Sequence, residues 1–129
     1  MIKIGNIELK ENVILAPMSG VTDLPFRRLV SKFGSPLLIS EMIASRAMIM
    51  QTKESLKKCQ NHNDIYPLSV QLAGCDPEIM AEAAKLNEQI GADIIDINFG
   101  CPVKKVVNGF AGSALMKDEA LAGKIMEAV

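Results

Sequence analysis

Residues 93–108 read Asp-Ile-Ile-Asp-Ile-Asn-Phe-Gly-Cys-Pro-Val-Lys-Lys-Val-Val-Asn, and this stretch decides the fold. Its β-branched run, Ile94–Ile97, predicts a buried strand. The strand runs into Asn98, a tight turn at Gly100 and the thiol of Cys101. Because α/β folds keep their chemistry in loops at the carboxyl ends of parallel strands, the stretch predicts a reaction site on an α/β scaffold.

The rest of the chain alternates strand-like and helix-like segments. A short hairpin is predicted around Gly5-Asn6, made by Ile2, Ile4, Ile7 and Leu9. Buried strands are predicted at 13–16, 37–41 and 68–72, in addition to 94–97. Helices are predicted from the Asp23 cap to Gly34, over 44–60, from Asp76-Pro77-Glu78 to Gly91, and from the Asp118 cap onward. The period is close to the ~30 residues of a βαβ unit, which predicts a parallel sheet with helices outside it.

Apolar residues at helical spacing predict which face of each helix packs on the sheet. For the first helix these are Phe26, Leu29, Val30 and Phe33; for the third, Ile79, Ala83, Leu86 and Ile90; for the last, Leu121, Ile125 and Val129.

Two α/β architectures compete, an open doubly wound sheet and a (β/α)8 TIM barrel. The nucleotide-binding doubly wound fold would show G-x-G-x-x-G after its first strand, and the turn at 16–23 does not match that pattern. We therefore predict the first four βα units of a TIM barrel, preceded by the hairpin, with residues 1–129 forming its N-terminal part. Since a whole barrel needs about 250 residues, we expect a truncated product or one part of a split gene. Uncovered strand edges in such a half barrel favour self-association.

Composition excludes several classes of function. Hydrophobic residues make up 49% of the chain and the formal net charge is −1, so a packed domain is expected and no global basic signature for nucleic acid is present. No run reaches the ~20 apolar residues of a membrane span. The 3 cysteines form no C-x-x-C pair, which favours a reducing cytoplasmic setting over disulfides or zinc. His62 has no ligand partners at metal spacing, and no metal site is predicted.

Several polar residues follow the predicted strands, and each has a functional and a structural interpretation. Cys101 fits a reactive thiol or a buried structural cysteine equally well. Asn98 fits an amide that binds a ligand or one that caps a loop, whereas the amide of Gln71, inside an apolar strand, must find partners. Lys104 and Lys105, placed on a long loop after the thiol, fit phosphate contacts or a solvated surface.

Two further residues follow the first two strands. Met18 presents a polarizable side chain that suits a ring system or simple core filling. Glu41 ends the second strand, where it can orient Asn98, a neighbouring loop or a substrate, or remain a solvated carboxylate.

Five motifs together resemble the tRNA-dihydrouridine synthase family, in its order and spacing. They are Ala-Pro-Met-Ser-Gly-Val-Thr-Asp (16–23), Ser-Glu-Met (40–42), Val-Gln-Leu-Ala-Gly (70–74), Asp-Ile-Asn-Phe-Gly-Cys-Pro-Val-Lys-Lys-Val (96–106) and Gly-Ser-Ala-Leu-Met (112–116). The resemblance covers essentially the whole chain and the first half of a family member.

The resemblance implies an FMN-dependent, NADPH-consuming enzyme that reduces the C5–C6 bond of uridines in tRNA. It implies that Pro17, Met18 and Ser19 lie along the flavin, with Gln71 as a polar contact to it. It also implies Asn98 beside flavin and uracil, and Cys101 as the catalytic acid. A thiol suits that role because thiols have a pKa near ~8.5 and hold a transferable proton at neutral pH. Lys104 and Lys105 would then meet RNA phosphate near the flipped-out uridine.

Two alternatives remain. One is another FMN barrel oxidoreductase of the dihydroorotate dehydrogenase type, which also acts on a pyrimidine ring. The other is an inactive fragment that binds no flavin, since the family's later flavin contacts, phosphate loops and C-terminal tRNA-binding helical domain are not in these 129 residues. The expected partners are tRNA, NADPH and the missing second half of the barrel, with no membrane.

Overall fold

A computed structural model describes residues 2–60 and 65–129. Strands are β1 (Ile2–Ile4), β2 (Ile7–Leu9), β3 (Ile14–Leu15), β4 (Leu37–Ile39), β5 (Ile43–Ala44), β6 (Leu68–Ala73) and β7 (Ile94–Ile97). Helices are α1 (Leu24–Ser31), α2 (Ser45–Ile49), α3 (Lys53–Cys59), α4 (Pro77–Ile90), α5 (Lys104–Val107) and α6 (Glu119–Ala128), with a 3-10 helix at Gly112–Lys117. Among the described residues, no helix is long and apolar enough to cross a membrane.

The predicted hairpin and the parallel sheet are both confirmed. β1 and β2 pair antiparallel, and Gly5 turns between them with a φ of +57°. The other five strands form one sheet in which every pairing is parallel. β4 pairs with the amino end of β6 and β5 with its carboxyl end, so both lie on the same side of β6, opposite β7. The sheet order thus follows the chain from β3 to β7, consistent with part of a TIM-barrel-type domain.

The predicted helix over 44–60 is wrong. Two short helices, α2 and α3, replace it, and Ile43 and Ala44 form strand β5. Gln51 between the helices has a φ of +48°, which an α-helix cannot contain. Thr52 then starts α3, because its hydroxyl accepts from Ser55 N at 3.1 Å.

The predicted caps of the longer helices are confirmed. The carboxylates of Asp23, Asp76 and Asp118 each accept from backbone N–H groups in the first turn of α1, α4 and α6. Gly91 ends α4 in the left-handed region, with a φ of +106°.

The faces that the helices bury differ in part from prediction. Leu29 and Phe33 are exposed, at 52% and 82%, and the buried residue of α1 is Arg27. Arg27 Nη2 lies 3.3 Å from the carbonyl oxygen of Gln60, past the end of α3, which anchors α1 there. Ile90 is also exposed, at 47%. In α4 the buried residues are Met80, Ala83, Ala84 and Asn87.

The sheet has one apolar face and one face with polar groups. Val70 and Leu72 pack with Met80, Ala83 and Ile125 in the main core. Burying each of the larger of these side chains, those of Val, Leu, Met and Ile, contributes roughly 1.5–3 kcal/mol. Because side chains alternate along a strand, Ser69 and Gln71 of β6 point to the opposite face, which is where the polar groups of the site gather.

Candidate active site

The loop after β3 is a closed turn that fixes Pro17, Met18 and Ser19. Met18 N donates to Thr22 Oγ1 at 3.0 Å, and Thr22 N donates back to Met18 O at 2.9 Å. Thr22 itself is fully buried, whereas the Met18 side chain is 40% exposed. The turn therefore presents Met18 outward on a rigid backbone and does not use it as core filler.

Glu41 ties this turn to the next strand. Its Oε1 accepts from Gly20 N at 2.7 Å. Of the roles that the sequence leaves open for Glu41, the structure shows that of orienting a neighbouring loop. Ser40 beside it is fully buried and accepts from Gln71 N at 3.1 Å, which satisfies a ladder donor where β4 has ended.

A continuous series of hydrogen bonds joins side chains of β6 and β7 to the loop that follows β7. Gln71 Nε2 donates to Asp96 Oδ2, its register partner on β7. Asn98 Nδ2 donates to Gln71 Oε1 at 3.0 Å. Asn98 Oδ1 in turn accepts from Cys101 N at 2.9 Å and from Gly100 N at 3.2 Å. The predicted residues Gln71, Asn98 and Cys101 are therefore brought together, and Asp96 joins them.

The backbone of Cys101 is also held from the other side by the 3-10 helix. Ser113 N donates to Cys101 O at 3.0 Å. Gly112, with a φ of +60°, approaches so closely that an added Cβ would lie 2.6 Å from Cys101 O and 3.2 Å from Cys101 Cβ. Cys101 is partly exposed, so the residue held in this way is not sealed in the core.

The two lysines after the thiol lie on a helix, so the predicted long loop is wrong. Lys104 and Lys105 form the first turn of α5, and both are exposed. Four residues suffice for this helix because its carbonyls at Lys104 and Val106 are satisfied by the following turn.

A cavity of about 460 Å³ opens beside this site, at the carboxyl ends of β5 and β6. Its wall includes Ser19, Arg46, Lys58, Cys75 and Lys105. Of the predicted site residues, only Ser19 and Lys105 reach it; Gln71, Asn98 and Cys101 do not. Two of its cations are paired with acids, Arg46 with Asp76 at 4.0 Å and Lys58 with Glu54 at 3.3 Å.

Within 2–60 and 65–129, no group of three or more His, Cys, Asp or Glu residues could hold a metal ion. Cys59 is buried in the core, where desolvation raises the pKa of its thiol. His62, to which the sequence assigns no role, lies outside the described residues.

The parallel sheet, with polar side chains gathered near its carboxyl edge, is consistent with part of a TIM-barrel-type domain, and comparisons with known proteins show the family. The family model for dihydrouridine synthase (Dus) matches residues 14–129, so the chain belongs to that family. This decides against the dihydroorotate dehydrogenase type.

Curated relatives match along nearly the whole chain. A probable tRNA-dihydrouridine synthase of Rickettsia bellii is 67% identical over 99% of this chain, which corresponds to 40% of the relative. One from Rickettsia prowazekii is also 67% identical, over 39% of its length. The tRNA-dihydrouridine synthase B of Pseudomonas putida is 49% identical over 38% of its length. The chain thus spans about two fifths of the length of these relatives.

Sequence reasoning missed two residues of the site. The sequence carried a signal for Asp96, which is a charged residue within a β-branched strand. It lies two positions before Asn98 and thus on the same face. Gly112 begins the 112–116 motif, but its close approach to Cys101 depends on how the 3-10 helix folds back.

Proposed function

We propose that the protein is a tRNA-dihydrouridine synthase, which reduces the C5–C6 bond of uridines in tRNA with FMN and at the expense of NADPH. The single observation that supports this best is the placement of Cys101 on a partly exposed, doubly anchored loop at the carboxyl edge of the sheet, in a chain of the Dus family. A cytoplasmic location and tRNA as partner belong to the same proposal.

The residues present fit a flavin. Pro17, Met18 and Ser19 offer a rigid backbone strip with an exposed thioether, and Gln71 lies on the polar face of the sheet. Gln71 is buried and uses one of its two Nε2 hydrogens on Asp96, and in our proposal the second meets a ring acceptor of the flavin. Bound FMN would supply the hydride that reaches C6 of the uracil, after reduction by NADPH.

Cys101 supplies the proton of the reaction. Saturating the C5–C6 bond adds one hydride at C6 and one proton at C5. In our proposal the S–H bond of Cys101 breaks as the C5–H bond forms, and the thiolate takes a proton back from solvent. The hydrogen bonds of its backbone N–H and C=O to Asn98 and Ser113 hold the backbone from which the thiol projects, and general acid catalysis requires such positioning.

Asn98 and the two lysines bind the substrate. Asn98 Nδ2 uses one hydrogen on Gln71, and in our proposal its second meets a carbonyl oxygen of uracil. Lys104 and Lys105 are exposed and lie three and four residues past the thiol, where they meet the phosphates flanking the uridine.

The whole protein completes a barrel of which this chain forms the N-terminal part. In the sheet of the described residues, β3, β5 and β7 each pair with one strand only, and β3 and β7 lie at the two ends of the sheet. A second set of βα units would pair with these edges and close the barrel.

The test measures flavin reduction by NADPH and uridine reduction separately. It uses the purified protein that the gene for this chain encodes. With Cys101→Ala, we expect NADPH to bleach the flavin band near ~450 nm at an unchanged rate, while formation of dihydrouridine in tRNA falls by about 10²–10⁴-fold. Cys75→Ala is the matched control, because Cys75 is also partly exposed but lines the neighbouring cavity. Full uridine reduction by Cys101→Ala contradicts the proton assignment, and a colourless, inactive wild-type protein contradicts the proposed function.

A further inference from the structure

Asp96 ends the chain of hydrogen bonds that leads to Cys101, and neither the motif comparison nor the proposed chemistry gives it a task. It lies on β7 directly opposite Gln71, in register. Its Oδ2 accepts from Gln71 Nε2, so the carboxylate does not reach the thiol itself. Any effect of Asp96 on the reaction must therefore pass through Gln71 and Asn98.

The two ends of this series of hydrogen bonds determine which atom donates and which accepts at each step. A carboxylate can only accept, and a backbone N–H can only donate. The amides of Gln71 and Asn98, which carry both kinds of atom, stand between these ends. With Asp96 accepting at one end and the N–H of Cys101 donating at the other, both amides have one orientation that satisfies every contact.

Without the carboxylate, Gln71 Nε2 would lose its acceptor, and the Gln71 amide would be oriented from the Asn98 side alone. If that amide rotated by 180°, its Nε2 would face Asn98 Nδ2, and two donors would oppose each other. Relief would require Asn98 to rotate too, which turns its Nδ2 toward the N–H groups of Gly100 and Cys101. The loop that carries the thiol would then lose both of its bonds to Asn98.

We propose that Asp96 is a positioning residue that fixes the orientation of the Gln71 and Asn98 amides and thereby the place of the Cys101 loop. This inference rests on the proposed function for its meaning, since it assigns Asp96 to the proton-donor side of that site. It also explains why a charged residue occupies a strand that is otherwise made of isoleucine.

The decisive experiment exchanges carboxylate and amide between the paired positions 71 and 96. Gln71→Glu alone places two carboxylates together, and Asp96→Ala removes the acceptor. For each we expect hydrogen exchange at the Cys101 N–H, measured by NMR, to accelerate about 5–10-fold, as the loss of one hydrogen bond implies. In the double variant Gln71→Glu with Asp96→Asn, the new amide at 96 donates to the carboxylate at 71 in place of the repulsion, and that carboxylate still accepts from Asn98 Nδ2, so we expect exchange to return to within about twofold of wild type.

The rate at which iodoacetamide alkylates Cys101, followed by mass spectrometry of its peptide, gives a second readout. This rate should change in the two single variants and return to the wild-type value in the double variant. Asp93→Asn is the matched control, because Asp93 accepts from Leu68 N at the opposite end of β6. If Asp96→Ala does not fold, Gln71→Glu and the swapped pair carry the comparison.

The outcomes separate this inference from the proposed function, since neither readout needs flavin or tRNA. Unchanged exchange in Asp96→Ala, or a swapped pair no better than Gln71→Glu, overturns the positioning role and leaves the proposed function standing. In the active protein, Asp96→Ala should lower the turnover of uridine reduction about tenfold and lower flavin reduction by NADPH less, through Gln71 alone, and equal loss in both half-reactions would contradict the assignment.

Discussion

Gly112→Ala offers a direct measure of how tightly the 3-10 helix holds the thiol loop. Gly112 has a φ of +60°, and an added Cβ would lie 2.6 Å from Cys101 O and 2.9 Å from Val106 Cγ1. The left-handed backbone costs an alanine about 1–2 kcal/mol, and forcing a methyl into a tight contact about 1–3 kcal/mol. We therefore expect a loss of about 2–5 kcal/mol in the free energy of unfolding, a large part of the usual 5–15 kcal/mol.

Gly5→Ala separates the two contributions. Gly5 has nearly the same φ, +57°, but nothing lies within 4 Å of its added Cβ. It should therefore lose only the backbone part, about 1–2 kcal/mol. Urea unfolding curves give both values, and alkylation of Cys101 shows whether the loop has moved. If Gly112→Ala is no less stable than Gly5→Ala and leaves the Cys101 alkylation rate unchanged, the close packing of Gly112 against the thiol loop is refuted.

Two other properties follow from the described contacts. Burial raises the pKa of the Cys59 thiol, so as pH increases the unfolded chain loses this proton first. The stability that Cys59 contributes is fully present below the unfolded value, about 8.5, and is lost as pH rises toward the higher folded value; urea midpoints should fall over that window in the wild type, and Cys59→Ala should remove that part of the slope. Asp76→Ala should cost about 1 kcal/mol, because it removes the cap of α4, whereas Arg46→Ala should cost less than ~0.5 kcal/mol, because its 4.0 Å ion pair with Asp76 is exposed. Thermal unfolding compares the two, and an equal loss in both would mean that the ion pair, not the cap, stabilises this helix start.

The order of strands and helices could be predicted from local patterns. The caps at Asp23, Asp76 and Asp118 act within one helical turn, and the hairpin at Gly5 needs only its own turn. The break between α2 and α3 at Gln51 could not be predicted from local patterns, because the positive φ of Gln51 depends on how these helices pack around β5. The exposure of Leu29 and Phe33 could not be predicted either. A helical pattern shows which residues share a face of the helix, but not whether another element covers that face.

For the site, the sequence by itself determined the residue types and their positions at strand ends. Strand periodicity places Gln71, Asn98 and Cys101 at one edge of the sheet, because the carboxyl ends of parallel strands meet there. Only the tertiary structure decided the register that sets Asp96 against Gln71, and the fold-back that brings Gly112 against Cys101. Both are contacts between segments distant in the chain, and a hydrogen bond or a steric contact exists only once such segments are held within a few ångströms of each other.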